Sequence, residues 1–143
     1  MARLTVVIGF MGAGKTTLAR ELAEARGTEH VDTDALLVQR FGRPITDIFA
    51  LDGEAAFRAA EEEVVLAVLA RAGDGAVVSL GGGSVLSEAV RAALAPHTTV
   101  LIDVPLDVAW ARAGGRGRPL AQDRDAFAAR HRERAELYAS LAD

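Results

Sequence analysis

Chemistry enters this chain at Gly9-Phe10-Met11-Gly12-Ala13-Gly14-Lys15-Thr16. The spacing G-x-x-x-x-G-K-[ST], after an apolar run and before a helical pattern, is that of a loop that cradles phosphates. Its glycines let successive backbone N–H groups turn inward around phosphate oxygens. The helix that follows adds the positive end of its dipole at the same spot. Gly12, Ala13, Gly14, Lys15, Thr16 and Thr17 are therefore the candidate nucleotide ligands. Lys15 is expected to neutralise the outer phosphates, and the Thr16 hydroxyl to hold Mg²⁺. ATP and Mg²⁺ are the cofactors this implies.

Two carboxylates follow in His30-Val31-Asp32-Thr33-Asp34. They come at the end of the second extended segment, where ligand sites of α/β proteins gather. Residues two apart share a face of an extended chain, so both are expected to point into the crevice. Asp32 then suits the metal, through water, and Asp34 suits the proton of an attacking hydroxyl. The competing reading is that Asp34 only caps the next helix. The third apolar strand, Ala76 to Leu80, ends in no acidic residue, which leaves Asp32 as the metal-side carboxylate.

Arginines supply the rest. Arg134 lies on one helical stripe with Phe127, His131 and Tyr138, so it is expected to point inward, where its fork needs an anion: a ligand carboxylate or an internal ion pair. Arg58 stands at helical spacing from Glu61 and Glu62, and by itself reads as one half of a solvated pair. Gly81-Gly82-Gly83 after a strand suggests close approach of backbone to a ligand. Gly114-Gly115-Arg116-Gly117-Arg118 combines pliant backbone with two positive charges, either a lid over phosphates or a surface loop. His30, His97 and His131 have no ligand spacing and read as structural or surface residues, and Trp110 and Tyr138 as packing residues.

The elements that must position these groups alternate. Strands are expected at Leu4–Ile8, Glu29–Asp32, Ala76–Leu80 and Thr99–Asp103. Helices are expected at Lys15–Arg26, Asp34–Phe41, Ile45–Phe49, Glu54–Arg71, Ser87–Leu94, Leu106–Ala113 and Asp125–Ala139. The first helix carries Leu18, Leu22 and Ala25 on one stripe. Gly27 is placed to end it and Ser87 to cap another. Such alternation implies a three-layer α/β/α domain around a parallel sheet of about four strands, of the P-loop NTP hydrolase kind.

Bulk properties narrow the function. The 143 residues make one domain, 1–143, half hydrophobic and a quarter charged, with a net charge of −4 and no cysteine. Nucleic-acid binding is not suggested, and thiolate chemistry is excluded. The apolar run near the N-terminus is too short to span a membrane and has no signal-peptide cleavage region, so no membrane partner and a cytoplasmic location are expected. A monomer is the expected state. No N/T-K-x-D segment for reading guanine is present, which argues against a regulatory GTPase.

The phosphate loop, Asp32-Thr33-Asp34, Gly53-Glu54-Ala55-Ala56-Phe57-Arg58, Glu61 and Gly81-Gly82-Gly83 together resemble the shikimate kinase family. The likeness continues through Arg112-Ala113-Gly114-Gly115, Arg118-Pro119-Leu120 and Arg134-Ala135-Glu136-Leu137-Tyr138. It implies a fold like that of nucleoside monophosphate kinases, and transfer of the ATP γ-phosphoryl group to the 3-hydroxyl of shikimate. The resemblance further implies that Asp34 meets the shikimate hydroxyls and that Arg58 and Arg134 bind its carboxylate. Gly81, Gly82 and Gly83 then approach the ring, and Glu61 steadies Arg58. Arg118 closes from a lid at about 113–124, Arg112 lies beside adenine, and residues about 33–61 form the shikimate-binding region. Two alternatives stay open: another small-molecule P-loop kinase such as a gluconate kinase, and a nucleotide-binding module without turnover. Family members continue past the last helix with a strand and a helix; without them the fourth strand is expected to be an open edge, with lower stability or self-association.

Overall fold

The structure, a computed structural model, describes residues 2–10, 13–113 and 124–143. Four strands, β1 (Thr5–Ile8), β2 (His30–Asp32), β3 (Val77–Ser79) and β4 (Thr98–Leu101), form one sheet in the order β2-β3-β1-β4. Every pairing is parallel, with Val6 opposite both Val78 and Thr99. A parallel sheet is covered on both faces, so its strands read as continuous apolar runs. Val6, Val7, Val77 and Val78 are all fully buried, each worth roughly 1.5–3 kcal/mol.

Seven α-helices accompany the sheet among the described residues. They are α1 (Lys15–Arg26), α2 (Thr33–Phe41), α3 (Ile45–Asp52), α4 (Glu54–Arg71), α5 (Glu88–Ala93), α6 (Leu106–Ala113) and α7 (Arg124–Leu141). The expected three-layer α/β/α arrangement is present. On one face Val6, Ile8, Val78 and Leu80 pack with Val65 and Leu69 of α4, Val90 of α5, Ala109 of α6 and Phe127 and Tyr138 of α7. On the other, Val7 and Val77 meet Ala19 and Ala23 of α1. A third cluster, Leu37, Ile48, Phe57 and Ala60, joins α2 and α3 to the first half of α4. None of the described helices is long and apolar enough to cross a membrane.

Several boundaries agree with the sequence: α1, α4 and α6 span the expected residues, Gly27 ends α1 with φ 68°, and the Ser87 hydroxyl accepts the Val90 N–H at the start of α5. Three expectations need correction. The buried stripe of α1 is Ala19 and Ala23, while Leu18 is 38 % exposed and Ala25 is exposed. Small residues let that helix lie close on the sheet, and the larger leucine is turned out at the rim. Asp34 is not in extended chain, because α2 already begins at Thr33. Finally, β4 ends at Leu101, short of Asp103. It is the sheet edge, as expected, but not wholly bare: Asp143 N–H donates to the Thr99 carbonyl at 2.9 Å, and Thr99 N–H donates to Asp143 Oδ2 at 2.6 Å.

Candidate active site

All four strands are parallel, so the segments that follow β1, β2 and β3 meet at one end of the sheet. The phosphate loop leaves β1. Gly9 has φ 155°, and a Cβ there would sit 2.6 Å from the Ile102 carbonyl oxygen, so only glycine lets the loop pass the end of β4. Gly14, at φ 93°, turns the chain into α1. Lys15 Nζ donates to the Phe10 carbonyl at 3.0 Å, curling the ammonium over the loop it serves. Met11 and Gly12 lie outside the described residues.

Asp32 closes β2 and is the N-cap of α2: its Oδ1 accepts the Asp34 N–H at 3.0 Å and, more weakly, the Ala35 N–H at 3.5 Å. Its other oxygen accepts the Thr16 hydroxyl at 3.1 Å. The two groups assigned to the metal are therefore neighbours, and Asp32, not Asp34, does the capping. An acidic oxygen beside a hydroxyl at a phosphate loop is a donor set that suits a hard cation such as Mg²⁺. Among the described residues no cluster of three metal-ligating side chains occurs.

The glycine run after β3 is where the remaining groups converge. A Cβ on Gly81 would lie 2.5 Å from Asp34 Oδ1 and 3.0 Å from Glu61 Oε2. One on Gly83 would lie 2.2 Å from Arg58 Nη1. Glycine is needed because acidic and basic side chains press against this backbone. Arg58 does not sit on a solvated face. It pairs at 2.8 Å with Glu61, which is only 3 % exposed, stands 3.6 Å from Glu54, and lies near the Phe49 and Phe57 rings.

Arg134 comes from α7, inward as expected and 4 % exposed, with its guanidinium 5.8 Å from the Phe10 ring centroid. Its Nη2 is buried and has no hydrogen-bond partner among the described residues. A buried guanidinium with an unmet donor is costly unless an anion completes it. No internal ion pair of Arg134 occurs among the described residues. Gly114 to Asp123, including Arg118, and the Arg112 side chain lie outside the described residues.

Two residues of the site were not foreseen. Thr33 is fully buried; its hydroxyl donates to the Ser79 carbonyl and accepts the Gly81 N–H, both at 3.3 Å, and so fixes the start of the glycine run. Tyr138, read as a packing residue, donates its hydroxyl to the Gly82 carbonyl. A polar residue between two site aspartates, and a phenol one turn beyond an inward arginine, were the available signals. The histidines are structural: Nδ1 of His97 accepts the Leu4 N–H at 3.0 Å, His30 pairs with the Ser79 hydroxyl, and His131 with the Val104 carbonyl.

The family model of shikimate kinase matches residues 11–143. A shikimate kinase of Mycobacterium avium is 49 % identical over 99 % of this chain and 75 % of its own length. The chain belongs to the shikimate kinase family. Members of this family are ATP-dependent phosphotransferases of aromatic amino-acid biosynthesis, and this chain is such a small-molecule kinase. Among solved structures, a shikimate kinase from Acinetobacter baumannii in complex with shikimate superposes with TM-score 0.92 at 30 % identity, over 99 % of this chain and 81 % of that one. A gluconokinase from Sinorhizobium meliloti shares the fold alone: TM-score 0.51 at 21 % identity, over 99 % of this chain and 75 % of that one. The gluconate kinase alternative therefore has less support than shikimate kinase membership.

Proposed function

We propose that the chain phosphorylates the 3-hydroxyl of shikimate with ATP–Mg²⁺, using the residues gathered at the strand ends. The observation that carries this reading is the unmet Nη2 of Arg134, together with an Arg58 held by Glu61 against the glycine run. Two arginines suit one carboxylate, and Asp34 against Gly81 suits a ring hydroxyl. Asp34 takes the proton of that hydroxyl as its oxygen attacks the γ-phosphorus; the bond to the β-phosphate oxygen breaks and ADP leaves. Ala13, Gly14, Lys15, Thr16 and Thr17 hold the phosphates, with Gly12 in the same loop.

Thr16 and Asp32 would hold Mg²⁺, which draws charge from the phosphate oxygens when bound. An open cleft of about 470 Å³ between Gly14, Thr17 and Leu18 on one side and Ile102 and Val104 on the other suits a flat base, with Arg112 assigned beside it. Arg118 is assigned to the lid, about 113–124, where it would meet developing phosphoryl charge. Residues about 33–61 form the shikimate-binding region of this single domain. A monomer working in the cytoplasm, where ATP is supplied, is part of the same proposal.

The test is ADP release from ATP–Mg²⁺ with shikimate, with gluconate and with no acceptor, using Lys15→Ala as the blank. Release that depends on shikimate is expected. Release with gluconate alone, or ATP binding without turnover, overturns the proposal. Arg118→Ala is expected to lower turnover far more than ATP affinity, and unchanged turnover removes Arg118 from the mechanism.

A further inference from the structure

We propose that Tyr138 is a positioning residue for the acceptor, joining α7 to the glycine run so that Arg134 and Gly82 move as one unit. Its hydroxyl donates to the Gly82 carbonyl, and Arg134 stands one turn earlier on the same helix, near enough for its charge to act on the phenol. Arg58 and Glu61 also lie close enough for their charges to be felt there. The ring is 4 % exposed and packed in the main core, so the phenol has little freedom to serve another partner.

Packing alone does not account for a tyrosine here. A phenylalanine would fill the same volume, yet it would leave the Gly82 carbonyl without this donor. The hydroxyl directly links the helix that carries Arg134 to the loop that Arg58 and Asp34 press against. Burial pushes the phenol's pKa up, with Arg134 opposing, so the group stays a donor in neutral solution. Tyr138 thus acts through Arg134 and Gly82, without transferring a proton itself.

This inference rests on the reading of Arg134 as a ligand of the shikimate carboxylate. Tyr138→Phe is expected to raise KM for shikimate about tenfold, the size of one lost buried hydrogen bond, with KM for ATP unchanged. The chain has a single tyrosine, so uniform 3-fluorotyrosine labelling places one ¹⁹F reporter at this site without replacing the residue. Its resonance is expected to shift on adding shikimate, and this arm decides the matter should Tyr138→Phe not fold. An unmoved KM for shikimate, KM values for shikimate and ATP that rise together, or a ¹⁹F signal indifferent to shikimate overturns the role. Arg134→Lys separates the two readings: if it keeps full shikimate affinity, the carboxylate assignment fails and takes this inference with it. If it loses affinity while Tyr138→Phe keeps it, only the role of Tyr138 fails.

Discussion

The Thr16 hydroxyl donates to Asp32 Oδ2 at 3.1 Å while Asp32 Oδ1 caps α2. One carboxylate therefore ties the phosphate-loop helix to the helix that carries Asp34. Asp32→Asn keeps an acceptor for the cap but loses the charge. It is expected to melt near the parent temperature and to need more Mg²⁺ for half-maximal activity. Asp32→Ala is expected to lose about 1 kcal/mol as well, the size of a helix cap. A Mg²⁺ requirement unchanged in Asp32→Asn would reduce Asp32 to a cap, and paired Mg²⁺ titrations and urea melts decide it.

Gly83→Ala addresses the acceptor side. The new Cβ meets the guanidinium end of the Arg58 side chain, which must shift off the loop and disturb its pair with Glu61, and no positive φ is involved. The variant is expected to fold with some loss of stability and to raise KM for shikimate roughly ten- to a hundredfold, as when a charged hydrogen bond is lost. Steady-state kinetics with an unchanged KM would show that Arg58 has no fixed place against this loop.

Glu61 is a buried anion whose partner is Arg58 at 2.8 Å. Removing one member of such a pair leaves the other uncompensated. Glu61→Ala is expected to cost roughly 3 kcal/mol, and Glu61→Gln less, since an acceptor remains. Equal urea midpoints for the two variants would show that the remaining acceptor contributes nothing, and a Glu61→Ala midpoint equal to the parent's would refute the buried pair as a source of stability.

His97 predicts a pH dependence of stability. Burial, and secondly the charge of Arg3, hold its pKa below the usual 6.5. The folded state therefore favours the neutral ring, whose Nδ1 accepts the Leu4 N–H. A depressed histidine contributes stability that is complete above 6.5 and lost as pH falls from there through the folded pKa. Between pH 7.5 and pH 5.5 the melting temperature is expected to drop more for the parent than for His97→Gln. Equal drops would exclude His97 as the cause.

Much of this was legible in the residues because the signals were local. The phosphate loop announces itself within eight positions, and α4 was bounded by glycines that do little else. Arg134 was placed inward by its stripe with Phe127 and Tyr138. What could not be read depended on tertiary company. Leu18 and Ala19 compete for the sheet-facing side of α1, and only the distance of that helix from β1 and β3 decides for alanine. Nothing local says that Asp32 already caps α2, so the helical state of Asp34 is invisible in the sequence. Arg58 read as a solvated pair since Gly83, its other neighbour, is distant in sequence.

β3 stands between β1 and β2, with Thr5 in register with Val77 and His30 with that same residue. A growing chain that has delivered β1 and β2 therefore has no ladder to close, and the long loops must be shut before any pairing rewards them. Arrival of Val77 to Gly83 zips both strands at once and drops the glycine run between phosphate loop and aspartates in the same event. The acceptor side of the site is thus completed together with the sheet, because the glycine run follows the strand that joins β1 to β2.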